Sequence, residues 1–595
     1  MTTSVDKRQH ELSIVRDTVE SVWVAIILAF VLRAFMVEAF VIPTGSMAPR
    51  LMGEHYDLVC PACGYEYSYR WDTSKQGSVS RRTKTIPKGA CCPSCTYRYT
   101  TSMAHVNGGD RVLVMKYLYR FTEPKPFDVV VFRNPQSNDN NYIKRLIGLP
   151  GETIEIVHGD IFVTPPGKET PEIRRKPDRA QEVMWQIICD NDYRPDPKKL
   201  KENGTEVDAP RRWALPDAGD EEKDGSWTET NSGRTFTFKG SSECSYLTFK
   251  GARGIVHTPN KTKLSAAEKK SMREAFVPRY GYNQDGGWNG GVDSGTDLCS
   301  DIKLSVVIRP GEAKTSVEYI LDGMWYSFRA VFDTDGSVKI FRRQRETTLK
   351  SGKLRRTDDA PWGDEWAQAK TAPMVAGVGR KVELAHVDCG VKVWIDGEKI
   401  IDKDYPITLD DLKKRLAATK DRQEQGISNT PGTPLPAPGA RIGVLGGPVE
   451  LTHLKLMRDV YYMKYLLGRP SSSNQDFFMD YAHDHGMNVG HDNLGWGVED
   501  NPIILRKRDE DPDLDEFFVL GDNSPQSLDS RGWVEAAPSL RLLDSDGKPQ
   551  YKLGTVPRYN MIGKAMLVYW PSGFRLPLLP GLPIVPDVGR MRLIR

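Results

Sequence analysis

Along the chain, short apolar segments alternate with polar ones, as is typical of strands. Val129 to Phe132 are four consecutive apolar β-formers that leave no polar side. They predict a strand buried on both faces. Ile154-Glu155-Ile156 and the segment around Lys144 predict two more short strands. Many such segments, separated by Gly and Pro turns, predict a mainly β fold with an antiparallel domain.

One apolar stretch, Val22 to Ile42, approaches the length of a membrane span. A helix needs about 20 residues to cross a bilayer. We therefore expect residues 19–42 to form a transmembrane anchor behind a cytoplasmic segment of residues 1–18. Arg33 and Glu38 interrupt the stretch, so the span requires Arg33 to reach the interface. A cleavable signal peptide is the alternative, but no small-x-small cleavage pattern follows the apolar core.

A long insertion, residues 165–501, begins with a charged, proline-rich stretch and then contains predicted hairpins. One hairpin turns at Asp396-Gly397, between two apolar segments. Repeated pairs of this kind predict a β-sandwich. The Val-Trp-Ile-Asp-Gly segment that ends at Gly397 resembles hairpins of concanavalin-like (laminin G-type) sandwiches.

Length and charge narrow the classes of function. A chain of 595 residues is expected to form several domains. A net charge of +3 is too balanced to indicate a nucleic-acid partner. The mean hydropathy of −0.49 excludes a multi-span transporter.

Five of the nine cysteines lie close together, in a polar insertion spanning residues 59–104. Two Cys-x2-Cys pairs predict a zinc-ribbon-like site, because four thiolates can close a tetrahedral structural zinc site. Its four ligands would be Cys60, Cys63, Cys92 and Cys95. Two disulfides or free thiols are the alternative, and Cys91 is a fifth candidate ligand. A second group of His and Asp residues at 480–492 is either a metal site or a polar loop.

The candidate chemistry involves a serine and a lysine. Ser46 follows the apolar stretch in the segment Pro43-Thr44-Gly45-Ser46-Met47, and Lys144 lies among apolar neighbours. A serine hydroxyl needs a base within hydrogen-bond reach. A lysine can be that base if burial lowers its pKa and keeps the amine neutral. No histidine lies in a pattern typical of a triad.

These segments, together with Gly521-Asp522-Asn523 and the Ser527 to Arg531 stretch, resemble the bacterial type I signal peptidases. The resemblance implies a serine endopeptidase with Ser46 as nucleophile and Lys144 as general base, and no cofactor for catalysis. Supporting roles in the family fall on other matched positions. Thr44 matches an oxyanion donor, Ser527 a serine that orients the lysine, Asp529 and Arg531 a supporting ion pair, and Asp522 and Asn523 a Gly-Asp-Asn turn. The family's usual Arg-Asp after that turn is replaced by Ser524-Pro525-Gln526, which puts one peripheral contact in doubt.

The resemblance also implies the organisation and the partners. Residues 43–164 and 502–595 would form the catalytic domain, interrupted by the two insertions. The protein would be a single-pass protein of the cytoplasmic (inner) membrane, with its catalytic domain on the outer, periplasmic face. Its partners would be the lipid bilayer and exported preproteins with signal peptides, but no nucleic acid.

Two other classes of function stay open on the sequence. One is a membrane-anchored adhesin or carbohydrate binder, built on the sandwich, with a decayed peptidase frame. The other is a Ser-Lys self-cleaving repressor. Those repressors are soluble and carry a DNA-binding head, which is not recognised in this sequence.

Overall fold

The computed structural model describes residues 16–28, 30, 36–71, 83–85, 90, 92–95, 97, 103–137, 139–195, 212–215, 227–249, 282–283, 299–345, 347–350, 353–356, 361–424, 438–464, 495–541, 549–571 and 588–595. This part of the chain is mainly β, which confirms the predicted fold class at that level.

In the first part of the chain the strands are β1 (Val37–Val41), β2 (His55–Val59), β3 (Glu66–Arg70), β4 (Thr83–Thr85), β5 (Met103–Asn107), β6 (Arg111–Met115), β7 (Val129–Arg133), β8 (Asn141–Gly148), β9 (Thr153–Val157), β10 (Asp160–Thr164) and β11 (Glu172–Ile173). In the middle part they are β12 (Gln186–Asp190), β13 (Trp213–Ala214), β14 (Trp227–Thr230), β15 (Thr235–Phe238), β16 (Ser241–Phe249), β17 (Ile302–Pro310), β18 (Thr315–Asp322), β19 (Tyr326–Asp333), β20 (Ser337–Gln344), β21 (Thr347–Lys350), β22 (Lys353–Arg356), β23 (Glu365–Lys370), β24 (Arg380–Val387), β25 (Gly390–Ile395), β26 (Glu398–Asp404), β27 (Gly439–Gly446) and β28 (Val449–Arg458). The last part contains β29 (Ile503–Ile504), β30 (Glu516–Leu520), β31 (Val556–Pro557), β32 (Met561–Trp570) and β33 (Arg592–Leu593). Besides the helical residues 16–28, the α-helices of the described residues are α1 (Leu118–Phe121), α2 (Asp178–Met184) and α3 (Leu409–Glu424).

The sheet that carries the candidate chemistry joins the two ends of the chain. Its strand order is β1-β6-β32-β7-β8-β30-β31, with β33 paired to β32. All four residues from Val129 to Phe132 in β7 are at most 2% exposed, which confirms the prediction of a strand buried on both faces. The β7–β8 register places Val130 opposite Lys144. Lys144 therefore lies inside the sheet, not at its edge.

The predicted anchor at residues 19–42 is wrong as a single helix. Residues 37–41 form β1, which pairs antiparallel with β6 from Val37–Met115 to Val41–Arg111. Residues 16–28 are helical. No helix among the described residues is both long enough and apolar enough to cross a bilayer. The apolar residues at the end of the stretch have strand neighbours in the sheet, and these pairings replace the lipid contacts that the sequence pattern suggested.

A smaller sheet with the order β11-β10-β9-β29 packs beside the first one. Its core contains Ile154, but also Ala180, Tyr462 and Trp496. These last three residues fall within residues 165–501, which the sequence analysis assigned to the insertion. Both ends of that segment therefore belong to the core beneath β9 and β30.

Between those ends, two antiparallel sheets face each other. One has the order β14-β15-β28-β17-β24-β25-β26, with β12 on β28, and the other has the order β13-β16-β27-β18-β19-β20-β23. Side chains from both sheets, such as Leu304 and Tyr319, form one shared apolar core. The hairpin at Asp396-Gly397 joins β25 to β26, and both turn residues have positive φ angles.

A third unit carries the cysteines. Its sheet has the order β3-β2-β5-β4. It contacts the large insertion where the Ser94 hydroxyl donates to the carbonyl oxygen of Asp190 at 3.3 Å. A separate hairpin consists of β21 and β22.

Candidate active site

Ser46 lies in the loop between β1 and β2 and is 7% exposed. Asn523, which follows β30, donates two hydrogen bonds to this loop. Its backbone N–H donates to the Ser46 carbonyl oxygen at 3.0 Å, and its side-chain Nδ2 donates to the Gly45 carbonyl oxygen at 2.8 Å. The serine therefore has a fixed backbone, and its position does not depend on the neighbouring loop residues alone.

Lys144 reaches the serine from β8. Its Nζ lies 2.7 Å from Ser46 Oγ and 3.2 Å from the Ile143 carbonyl oxygen. Burial lowers the pKa of Lys144 to about 8, while the carboxylates of Asp529 and Asp522 act in the opposite direction. A neutral amine at this distance can accept the serine proton. The arrangement can thus generate an oxygen nucleophile without a histidine.

The residue after the lysine, Arg145, forms a buried ion pair that the sequence analysis missed. Its Nε and Nη2 donate to the two carboxylate oxygens of Asp522 at 2.7 and 2.6 Å. Both side chains are 2% exposed. Such a two-point pair fixes orientation as well as distance. The available signal in the sequence was an arginine beside the candidate base and an aspartate in the Gly-Asp-Asn turn, both in apolar surroundings.

Asp529 and Arg531 also pair, as the resemblance led us to expect. Arg531 Nε and Nη2 donate to Asp529 at 2.9 and 2.8 Å, and both side chains are fully buried. Asp529 accepts the Gly521 N–H at 3.0 Å. Arg531 Nη1 donates to the Ser524 hydroxyl at 2.8 Å and to the Met463 carbonyl oxygen at 2.7 Å. The pair thus connects the turn behind Ser46 to the end of the large insertion.

Ser527 lies near the serine without the hydrogen bond to Lys144 that the resemblance implies. Ser527 is buried, yet its Oγ has no hydrogen-bond partner among the described residues. A methyl group on Gly521 would collide with this Oγ and would lie 2.6 Å from the Ser46 carbonyl oxygen. Ser527 therefore packs against the same glycine as Ser46. The Thr44 side chain is exposed to solvent.

Two residues of the large insertion, Tyr282 and Asn283, lie directly on the Ser46 loop. The Tyr282 ring is so close to Gly45 that a Cβ there would lie 2.6 Å from the tyrosine oxygen. Asn283 and Asn523 donate to each other through their side-chain amides, and Asn523 Nδ2 lies 3.0 Å from Asn283 Oδ1. No motif or periodicity in the sequence pointed to these two residues.

The four cysteines of the two Cys-x2-Cys pairs converge in the structure. Cys60 Sγ lies 3.5 Å from Cys95 Sγ, and Cys63 Sγ lies 3.8 Å from Cys92 Sγ. All four sulfurs are within 4.8 Å of one another. A disulfide needs about 2.05 Å between sulfurs. Zinc–sulfur bonds of about 2.3 Å in a tetrahedron require sulfurs about 3.8 Å apart. The residues therefore fit a four-thiolate metal site, and no open position would be left for catalysis. Cys91 and the His and Asp group at 480–492 lie outside the described residues.

A protein-family model described as "Signal peptidase, peptidase S26" matches residues 90–226 and 505–570. These ranges include Lys144, Asp522 and Ser527 but not Ser46. A Signal peptidase I from Rickettsia typhi (strain ATCC VR-144 / Wilmington) is 27% identical over 148 residues, which are 25% of this chain and 43% of that protein. A Signal peptidase I from Leptolyngbya laminosa is 36% identical over 77 residues, 12% of this chain and 37% of that protein.

The matched ranges include most of the sheet that carries Lys144, so the similarity to signal peptidases falls on the part of the chain that forms the candidate site. Over these ranges the chain is similar to the type I signal peptidases. It spans less than half the length of each of these two relatives. Among solved structures, a carbohydrate binding module from Bacillus subtilis is 10% identical with a TM-score of 0.20, and the match covers 41% of this chain and 94% of that one. A likeness at this score supports no conclusion about the insertion.

Proposed function

We propose that this protein is a serine endopeptidase that removes signal peptides from exported preproteins, with Ser46 as nucleophile and Lys144 as general base. The observation that carries the proposal is the 2.7 Å contact between Lys144 Nζ and Ser46 Oγ. It is supported by the lysine's burial, which lowers the pKa of the amine to about 8. A peptidase domain that had lost its activity and become a binding module would not be expected to retain this contact.

In this mechanism Ser46 Oγ attacks the carbonyl carbon of the scissile peptide bond while Lys144 takes the serine proton. The tetrahedral oxyanion would be held by the Ser46 backbone N–H and, by resemblance, by the Thr44 hydroxyl. Lys144 then gives its proton to the leaving amine, and an acyl-enzyme forms on Ser46. Water, activated by the same lysine, hydrolyses that ester. As the resemblance implies, substrates would carry small residues at the first and third positions before the cut.

The site of action that we propose is the outer face of the cytoplasmic membrane, where signal peptides emerge. Support comes from the helical residues before β1, which expose large apolar side chains. Trp23 and Phe30 are 60% and 66% exposed. These residues would contact the bilayer and hold Ser46 near its surface.

We further propose that Cys60, Cys63, Cys92 and Cys95 hold one structural zinc ion, and that the two large facing sheets form a laminin G-like sandwich. The sulfur spacing supports the first proposal. The shared core and the tight β25–β26 hairpin support the second. Neither unit would take part in the proton transfers.

The experiment that tests the function is cleavage of a model preprotein by the detergent-solubilised protein, with N-terminal sequencing of the product. Ser46→Ala and Lys144→Ala should each abolish cleavage, and the double variant should be no slower than either single one, because the two residues act as one unit. Ser137→Ala, at a partly exposed serine elsewhere in the same domain, is the matched control and should retain full activity. Cleavage that persists in Lys144→Ala would refute the mechanism.

A further inference from the structure

The large insertion supplies two residues that contact the Ser46 loop, and this contact suggests more than an appended domain. Tyr282 is 4% exposed and packs with Ala48 and Met52. Its carbonyl oxygen accepts the Arg70 backbone N–H at 3.0 Å. The segment is therefore held on one side by β3 and on the other by the Ser46 loop.

Asn283 completes a hydrogen-bond network that begins at Ser46. Asn523 Nδ2 has two N–H groups, and the two acceptors within reach are the Gly45 carbonyl oxygen at 2.8 Å and Asn283 Oδ1 at 3.0 Å. Asn523 Oδ1 in turn accepts from Asn283 Nδ2. Every donor and acceptor of the Asn523 amide is thus used.

The orientation of the Asn523 amide matters because its two ends are nearly equal in size. A flipped amide would aim an oxygen at the Gly45 carbonyl oxygen, and the two acceptors would repel each other. Asn283 adds to this preference, because a flip of Asn523 alone would also break both of the hydrogen bonds between the two amides. Asn523 is 1% exposed, so water has little access to replace this partner.

We propose that Asn283 is a positioning residue for the serine: it locks the Asn523 amide, which in turn holds the Gly45 and Ser46 carbonyl oxygens and aims Ser46 Oγ at Lys144. The inference rests on the proposed role of Ser46 as nucleophile. It extends that role by making the large insertion part of the active-site support. Small displacements of a reacting atom can cost up to about a hundredfold in rate.

The test is a double-mutant cycle on the full-length protein, using Asn283→Ala, Asn523→Ala and both together. The rate of Ser46 acylation by a serine-directed acylating probe is measured beside kcat and KM for a signal-peptide substrate. Asn283→Ala should lower kcat and the acylation rate about tenfold with KM nearly unchanged. In the Asn523→Ala background, Asn283→Ala should have no further effect, because Asn283 acts on Ser46 only through the Asn523 side chain.

The matched control is Asn191→Ala. Asn191 is also a buried asparagine of the insertion, and its Nδ2 donates to the Gly233 carbonyl oxygen at 2.8 Å, away from Ser46. This variant should lower the melting temperature without changing the acylation rate. Equal effects of Asn191→Ala and Asn283→Ala on that rate would overturn the inference, as would independent, multiplying effects of Asn283→Ala and Asn523→Ala.

The two readouts separate this inference from the proposed function. If the wild-type protein is acylated at Ser46 but cleaves no signal peptide, the substrate proposal fails. The double-mutant cycle can then still be evaluated from the acylation rates. If Ser46 in the wild-type protein does not react with the probe at all, no positioned nucleophile exists and the inference fails with it.

Discussion

Arg145 and Asp522 form a buried, two-point ion pair although 377 residues separate them in the chain. The pair connects β8, which carries Lys144, to the turn after β30, which holds Ser46 through Asn523. Each partner of the proposed dyad is therefore tied to the same buried charge pair. The large insertion lies between them in the sequence, so its two ends must meet at this sheet.

Asp522→Asn should destabilise the protein by about 3 kcal/mol, because it leaves the Arg145 charge buried without a counter-charge. It should also move the midpoint of the kcat/KM–pH profile to lower pH, since the Asp522 carboxylate raises the pKa of Lys144. Denaturant unfolding and a pH–rate series measure the two effects. Asp396→Asn is the control: this carboxylate pairs with Arg380 at a half-exposed site and should cost less than about 1 kcal/mol. Equal losses in the two variants would contradict this account of the pair.

The activity should rise with pH through the pKa of Lys144. Below about pH 8 the amine is protonated and cannot take the serine proton, so kcat/KM should fall about tenfold per pH unit. Above that pH the amine is neutral and the rate should level off. Lys144→Arg should be inactive at every pH tested, because a guanidinium keeps its proton. A rate controlled by a group near pH 6.5, and lost when a histidine is replaced, would identify another base.

Gly521→Ala should disturb the serine directly. The added methyl group would lie 2.6 Å from the Ser46 carbonyl oxygen and would overlap Ser527 Oγ. We expect kcat to fall about a hundredfold, with about 1–3 kcal/mol of lost stability. Gly108→Ala is the matched control, because a Cβ at Gly108 has no atom within 4 Å. An active Gly521→Ala variant would show that the serine loop can shift without cost.

The cysteine site should contain about one equivalent of zinc per chain. Cys60→Ser should release the metal and lower the melting temperature, because binding free energy of a structural zinc is folding free energy. Cys244→Ser, at a cysteine outside the cluster, should leave the metal content unchanged. Metal analysis and mass spectrometry decide the question. Metal-free protein with two disulfides among the four cysteines would refute the zinc proposal.

Local patterns predicted much of the candidate site and of the fold class. Four apolar residues in β7 can only be satisfied by cover on both faces, and a lysine among apolar neighbours is buried once its strand joins a sheet. The apolar neighbours of Lys144 indicated its burial in this way, whereas the resemblance to the signal peptidases pointed to Ser46, and the structure brings the two within hydrogen-bond distance. The Cys-x2-Cys spacing likewise predicted a convergence of sulfurs, because each pair turns two thiols toward one point.

Hydropathy misread the end of the apolar stretch, because the strands of a sheet and the helices of a membrane protein are built from the same apolar residue types. Only the pairing of β1 with β6 assigned Val37–Val41 to the sheet. Ion-pair partners such as Arg145 and Asp522, and the contact of Asn283 with Asn523, were decided by tertiary structure alone. Such contacts join residues hundreds of positions apart, and their energy comes from burial and geometry that no local pattern records. The sequence by itself thus indicated the candidate serine and lysine and the strand that carries Lys144, while the folded chain decided what holds them in place, because those contacts depend on burial and on residues far apart in the sequence.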